Sequence, residues 1–289
     1  MEDSNNKPLK IVITGANGQL GRCLQDVAKR YPYYDFHFKS SQDLDITAEK
    51  QINDLFSQEK FDYCINCGAY TAVDKAESDK ENAYLVNAEA VKYLAEACIT
   101  HNTILIHIST DFVFDGTKST PYTENDLPNP INVYGASKLK GEQYIQQILE
   151  KYFIIRTSWV YSEYGHNFVK TILRLGAEKD EISVVNDQIG SPTYAGDLAE
   201  VILKMIHTKA TDYGICHYSN EGQISWHDFA KAIFEIKGMD VKVNPIPSEA
   251  YPTPAKRPAF SVMDKTKIKQ ILDINTPDWK NSLKSVCQK

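Results

Sequence analysis

The stretch LKIVITGANGQLG, residues 9–21, decides the fold. A short, β-branched apolar run ends at Gly15; Gly18 and Gly21 follow, and an amphipathic segment begins at 18 and continues to 30. Strand, glycine turn and helix in that order let the backbone turn tightly and approach a ligand closely, so that phosphates meet the positive end of the helix. Glycines at this spacing also occur in ordinary turns, and they gain meaning only when further β/α units follow. Here they do. Strand-like runs recur at YDFHF (34–38), FDYCIN (61–66), TILIHIS (103–109) and YFIIRTS (152–158), with helical segments at 48–58, 80–101 and 134–151. These runs mostly lack the polar alternation of a half-exposed sheet, which predicts parallel strands covered on both faces. The expected fold is α/β, a Rossmann-like doubly wound parallel sheet with a smaller C-terminal substrate-binding α/β region.

Working outward, the regular alternation breaks after residue 158. Residues 9–158, together with about 186–220, are expected to form an NAD(P)-binding domain. The substrate-binding region is expected from about 159–185 and 221–289, and residues 1–8 as a disordered N-terminus. The segment NPIPSEAYPTPAKRPAF (244–260) holds five prolines, which predicts loop or extended chain, best read as covering a ligand. The 289 residues suffice for a sizeable core, and 42% hydrophobic with 24% charged residues is ordinary globular composition, which excludes collagenous and largely disordered classes. A net charge of −6 without a long basic run makes nucleic acid and anionic membrane poor partners. The polar start MEDSNNKP lacks the apolar core of a signal peptide, so a cytoplasmic location is expected. The six cysteines are then expected to be reduced, and although Cys64 and Cys67 form a C-x-x-C, no second Cys/His pair stands at ligand spacing; no metal site is read.

Two further patterns carry chemistry. Tyr134 and Lys138 lie four apart at the start of a helix, hence on one face; a cation beside a phenol lowers its pKa and makes Tyr134 a general acid tuned by Lys138. A surface Tyr/Lys pair on an amphipathic helix has the same spacing. Ser109-Thr110-Asp111 ends the strand ILIHIS, where ligands bind in an open α/β sheet, and a hydroxyl there can meet a carbonyl oxygen. Such residues also simply cap turns.

Glycine fingerprint, Ser/Thr after the fourth strand and Tyr-x-x-x-Lys, in this order and spacing, resemble the extended short-chain dehydrogenase/reductases. The segments INCGAYTAVDKAE (65–77), ISTDFVFDG (108–116), NPINVYGASKLKGE (129–142), IIRTSWVY (154–161) and DQIGSPTYAGDLA (187–199), with Arg257-Pro258 and Ser261, are similar to the dTDP-4-dehydrorhamnose reductase family from about residue 9 to the end. The resemblance implies hydride transfer from a nicotinamide to the C4 ketone of dTDP-4-dehydro-L-rhamnose, the last step to dTDP-L-rhamnose for cell-surface polysaccharide. It implies that Thr110 and Tyr134 bind the ketone oxygen, with Tyr134 giving the proton and Lys138 also holding the nicotinamide ribose. Gly15, Asn17, Gly18, Gln19, Leu20, Gly21, Lys39, Asp45, Ile46, Cys67, Gly68 and Ala69 complete the expected cofactor site, with Asn87 ordering it. Asp111, Trp159, Gln188, Ser191 and Arg257 join Thr110 on the substrate side, Trp159 facing the sugar and Arg257 the diphosphate. A homodimer is left open.

Phe112 departs from the family's usual Tyr, and no acidic residue follows Phe38 immediately. The dehydratases on this scaffold place Glu where this chain has Phe112, which accepts no proton; a dehydratase or epimerase is thus the weaker alternative. A non-catalytic subunit similar to the regulatory beta subunit of methionine adenosyltransferase is the alternative from another class. About 20 residues past the glycines, where an NAD site places an acid, stand Lys39, Ser40 and Ser41, with Arg22 beside the fingerprint and Asp43 two residues beyond Ser41. NADPH is therefore the expected cofactor, with NADH also accepted.

Overall fold

The computed structural model describes residues 7–288; residues 1–6, most of the expected disordered N-terminus, lie outside the described residues. Five strands follow the predicted runs: β1 (Lys10–Thr14), β2 (Asp35–Lys39), β3 (Tyr63–Asn66), β4 (Ile104–Thr110) and β5 (Tyr152–Thr157). A sixth, Gly214–His217, closes the sheet, whose order is Gly214–His217, β5, β4, β3, β1, β2, every pairing being parallel. Successive side chains of these strands enter opposite cores. Ile11, Ile13, Ile65, Ile106 and Ile155 pack with helices Gln19–Ala28 and Ala195–His207. Val12, Cys64, Leu105 and Ile154 pack with helices Glu49–Gln58, Ala90–His101 and Val133–Ile148. Both faces are dry, which is why the runs show little alternation. Cys64 and Cys67 belong to opposite faces, and all six cysteines are free thiols.

The strand order reverses at β1, whose neighbours are β2 and β3, so the crevice beyond the ends of β1 and β3 is the topological switch point where open α/β sheets bind ligands. Gly15 turns there with φ +65°, and a Cβ on it would lie 2.6 Å from the Gly68 nitrogen, so no other residue fits between the two loops. The predicted 80–101 helix is interrupted by a π-turn at Leu85–Glu89, a bulge typical of functional sites. Within it Asn87 accepts from the Tyr70 amide (2.8 Å) and donates to the Tyr70 carbonyl and the Ser137 hydroxyl (3.0 Å each), tying the loop after β3 to helix Val133–Ile148.

A second core lies where the alternation breaks. Strand Glu181–Val185 pairs in parallel with Lys242–Ile246, flanked by helices Phe168–Glu178, Trp226–Lys237 and Trp279–Cys287 around Phe229, Ile233 and Leu283. The proline-rich segment thus begins as a strand, and Pro245 is tolerated because a two-stranded ribbon has only edges. Helix Thr266–Leu272, expected in the substrate region, instead packs Ile268 and Leu272 into the core of the large sheet, while the Lys267 ammonium donates to the Ile215 carbonyl (2.6 Å). Burial of its apolar face decides its place, not its position late in the chain.

Candidate active site

At the end of β4 the Thr110 hydroxyl accepts from the Phe112 amide (3.2 Å) and donates to Asp111 Oδ1 (3.0 Å), with the Tyr134 phenol near it. Asp111 is buried and its Oδ2 has no partner; burial pushes its carboxyl up to about 6. Tyr134 sits in the first turn of helix Val133–Ile148, capped by Asn132, whose side chain accepts from the Gly135 amide at 2.7 Å. Lys138 follows one turn on, 2% exposed.

The structure does not show the expected tuning of the phenol by this lysine. Burial pushes Tyr134 up to about 12, Thr110 pulls it back in part, and Lys138 does not contribute. The lysine is occupied elsewhere: its Nζ donates to the Ile108 carbonyl (2.6 Å) and contacts His107 Nε2 (3.2 Å), and burial pulls it down to about 8. His107 and Asn66 complete this network, with His107 Nδ1 3.1 Å from Asn66 Nδ2. Neither was anticipated; the only signal was a polar residue inside an otherwise apolar buried run.

Around the fingerprint, helix Gln19–Ala28 starts after Gly18 with no side-chain cap, so the amides of its first turn have no side-chain acceptor. Asn17 and Gly18 are exposed, Leu20 and Gly21 buried. Gln19 reaches the second region, accepting from Ser162 (3.0 Å) and Asn167 (2.9 Å). The Lys39 carbonyl holds the Ala16 amide (3.1 Å), placing the end of β2 beside the turn. Asp43 accepts from the amide and hydroxyl of Ser40, bonds that hold its carboxyl below the ordinary range. Asp45 is exposed and caps Thr47; Ile46 is buried against Gly68, and Cys67 and Ala69 are half-buried at the same crevice. Arg22 stacks on the Tyr164 ring, 5.6 Å from its centroid.

Beyond Phe112, whose ring meets Tyr134 edge-on at 5.6 Å, opens a cavity of about 440 Å³. Thr110, Tyr134 and Lys138 stand behind Phe112 and are not among its walls. Apolar residues Trp159, Phe168, Ile172, Val184 and Trp226 line much of it; Asp74, Gln188, Arg257 and Ser261 supply polar groups. Trp159 adopts φ +48°, a costly backbone for a bulky residue, and is held by stacking on Trp226 at 3.5 Å and by its carbonyl accepting from Thr193. Gly190 leaves room for this ring, since a Cβ there would lie 2.5 Å from it. Arg257 forms a fork on Asp74 (2.9 and 2.8 Å), which holds that carboxyl below its usual range. Gln188 donates to Ser248 (2.9 Å). Ser191 is fully buried and donates to the Gly222 carbonyl (2.6 Å), which places it behind the wall rather than on it. Trp226, Phe168 and Asp74 were not anticipated, because nothing local distinguishes them from core aromatics or a surface acid.

Among the described residues, metal-type ligands come together at Asp35, His37 and Glu59 on the far end of β2, where the Lys10 ammonium pairs with both carboxylates.

Residues 9–289 match the family profile described as RmlD substrate binding domain. The chain is 44% identical over 288 residues to a dTDP-4-dehydrorhamnose reductase of Aggregatibacter actinomycetemcomitans, covering 96% of this chain and 98% of that one. It is 40% identical to the reductase of Sinorhizobium fredii over 95% of both chains. The solved dTDP-4-dehydrorhamnose reductase of Clostridium acetobutylicum superposes with a TM-score of 0.93 at 44% identity, covering 97% of this chain and 99% of that one. That of Bacillus anthracis, in complex with NADP, superposes with 0.93 at 43% identity, covering 96% and 98%. With likeness of this depth running through both the sheet and the aromatic cavity, the chain belongs to the dTDP-4-dehydrorhamnose reductase family.

Proposed function

We propose that the protein reduces the C4 ketone of dTDP-4-dehydro-L-rhamnose to dTDP-L-rhamnose, using NADPH and also accepting NADH. The observation that carries this reading is the placement of Thr110 at the end of β4 beside the helix that presents Tyr134 and, one turn on, the buried Lys138. A nicotinamide cofactor, when bound, supplies the hydride. The crowded Gly15 turn and the uncapped helix start suit its phosphates, which Gly15, Asn17, Gly18, Gln19, Leu20 and Gly21 would hold. Lys39, Asp45, Ile46, Cys67, Gly68 and Ala69 would flank the rest.

The two hydroxyls orient the ketone oxygen by hydrogen bonding. Tyr134 then gives its proton to the oxygen as negative charge develops there, and a phenol held at about 12 is fully protonated at neutral pH, as a donor must be. Phe112 closes the contact between this pair and the cavity and excludes water from the reacting oxygen. The face of Trp159 takes the sugar, Gln188 and Asp111 add polar contacts, and Arg257 turns part of its fork from Asp74 to the diphosphate. Ser191 braces the wall from behind. Residues 9–158 with the strand Gly214–His217 serve the cofactor, and the second core serves the sugar nucleotide.

The same reading carries a cytoplasmic location and no nucleic-acid partner, and leaves a homodimer open. No helix among the described residues is long and apolar enough to cross a membrane. The test is direct: purified protein, dTDP-4-dehydro-L-rhamnose and NADPH, followed by loss of reduced nicotinamide absorbance and chromatography of the product. Cofactor binding with no oxidation on adding this sugar nucleotide would remove the reductase reading and favour a binding subunit.

A further inference from the structure

The residue that holds Lys138 is as informative as Lys138 itself. Four buried side chains from three strands and a helix form one line: Thr14, Asn66, His107 and Lys138, each no more than 2% exposed. At this depth of burial each donor is expected to meet an acceptor. The direction of the line is set at one end by a group that cannot reverse. The Gly68 backbone N–H donates to Asn66 at 3.1 Å, so the Asn66 atom facing it is the carbonyl oxygen, which also takes the Thr14 hydroxyl at 2.6 Å. The other end of the amide, its NH₂, therefore points at His107 Nδ1, 3.1 Å away, and donates to it. A neutral imidazole that accepts at Nδ1 carries its hydrogen on Nε2, and Nε2 lies 3.2 Å from Lys138 Nζ. An N–H aimed at that nitrogen needs a lone pair there, which an ammonium lacks and an amine has.

We propose that His107 is a positioning residue for the reduction: as the Nε2–H tautomer, oriented through Asn66 by the Gly68 amide, it donates to Lys138 and favours its neutral amine form. The amine uses its lone pair toward His107 and one N–H toward the Ile108 carbonyl. An ammonium would force His107 to move its hydrogen to Nδ1, against the Asn66 NH₂, or force Asn66 to turn its NH₂ against the Gly68 amide. The surroundings agree. Burial, and after it the charge of a protonated Lys138, pulls His107 well below its ordinary value, so it has one hydrogen to place; burial lowers Lys138 to about 8, and the N–H donated by His107 favours the amine further. Glu142, on the same helix, and Cys67, after β3, act in the opposite sense on the lysine, but the Glu142 carboxylate is engaged by the Arg156 guanidinium of β5 and by Ser109 of β4. One consequence follows for the reaction. The wall of the cofactor crevice at Gly68 and the charge of Lys138 are linked by a fixed chain of hydrogen bonds, so a ligand that draws the Gly68 amide away frees Asn66 to turn and lets Lys138 take up a proton.

The role in the reduction rests on the proposed function, but the decisive measurement does not, because it uses the whole protein without cofactor or substrate. Long-range nitrogen–proton correlation spectra report which imidazole nitrogen bears the hydrogen, with His107 assigned by its loss in His107→Gln. The expected result is hydrogen on Nε2. Hydrogen on Nδ1, or an imidazolium at neutral pH, overturns the proposal. Two variants probe the line. Asn66→Asp keeps the acceptor for Gly68 but replaces the NH₂ by a second acceptor, so His107 should switch to Nδ1–H. The Lys138 side-chain carbon signal should then titrate at a proton concentration at least tenfold lower than in the parent. Thr14→Val loosens the same line without reversing it and should leave the tautomer unchanged. Equal effects of both variants on tautomer and titration would mean that packing alone sets the lysine, against the proposal. If reductase activity is absent while the tautomer is as expected, the function reading fails and the network stands.

Discussion

The two walls of the site are built by opposite means. On the sheet side the contacts are polar, dry and mutually fixed: Thr14, Asn66, His107 and Lys138 are all buried and hydrogen-bonded. On the cavity side the surfaces are aromatic, with Trp159 stacked on Trp226 beside Phe168, and the charged group, Arg257, is half-exposed on its Asp74 fork. A buried polar network is rigid because every lost bond leaves an unpaired group. Stacked rings tolerate small shifts, because dispersion and area change gradually with position. Hydride transfer needs the first property. Reception of a flexible sugar nucleotide suits the second.

Substitutions should divide along that line. The largest effect is expected on the sheet side: Tyr134→Phe should lower kcat on the order of 10²-fold or more while cofactor affinity by fluorescence titration stays near the parent value, since only the proton is lost. Lys138→Ala should damage both. Near-normal turnover of Tyr134→Phe would dissolve the distinction by showing that the acid lies elsewhere.

Asp111 sits at the boundary, and its effect is read in stability. Its carboxyl is raised to about 6, so the folded chain binds that proton more tightly than the unfolded chain does. The contribution of this group to stability is therefore greatest below the ordinary carboxyl range and declines as pH rises from about 4 to about 6, by about 3 kcal/mol. Asp111→Asn should flatten that decline in denaturant titrations run at several pH values. An unchanged slope would place the carboxylate in a better-solvated setting than its burial indicates.

On the cavity side, Arg257→Gln should raise KM for the sugar nucleotide about tenfold to a hundredfold, the scale of lost charge-assisted hydrogen bonds, and leave KM for NADPH alone. Equal increases for both ligands would mean that the two walls are not independent. The smallest effect is expected at the rim: Lys39→Ala should reduce the preference for NADPH over NADH only a few-fold, because the charge of this half-buried side chain is partly screened by solvent. Unchanged discrimination would show that another group, Arg22 among the candidates, meets the 2′-phosphate.

Much of the architecture was legible because it is written locally. Runs such as KIVIT and ILIHIS are apolar at successive positions, which only a strand with two covered faces requires, and the parallel sheet formed as expected. The proline-rich segment was harder: nothing within it announces that Pro245 would pair opposite Val184, since pairing depends on a partner sixty residues away. Separation along the chain, by 41 and 31 residues, also hid the network in which Asn66, His107 and Lys138 are brought together from β3, β4 and the helix after them.

What the amino-acid sequence determined by itself was therefore the order of strands and helices and the arrival of the glycine turn, Thr110 and Tyr134 at the ends of strands or starts of helices, because periodicity and turn chemistry act over a few residues. What only the tertiary structure decided was the state of those groups. The spacing of Tyr134 and Lys138 predicts a phenol lowered by its neighbour, yet packing buries the lysine, desolvates and so raises the half-buried phenol, and turns the lysine toward His107 and Ile108. Desolvation depends on everything that surrounds a group in three dimensions, and four residues along a helix do not contain that information.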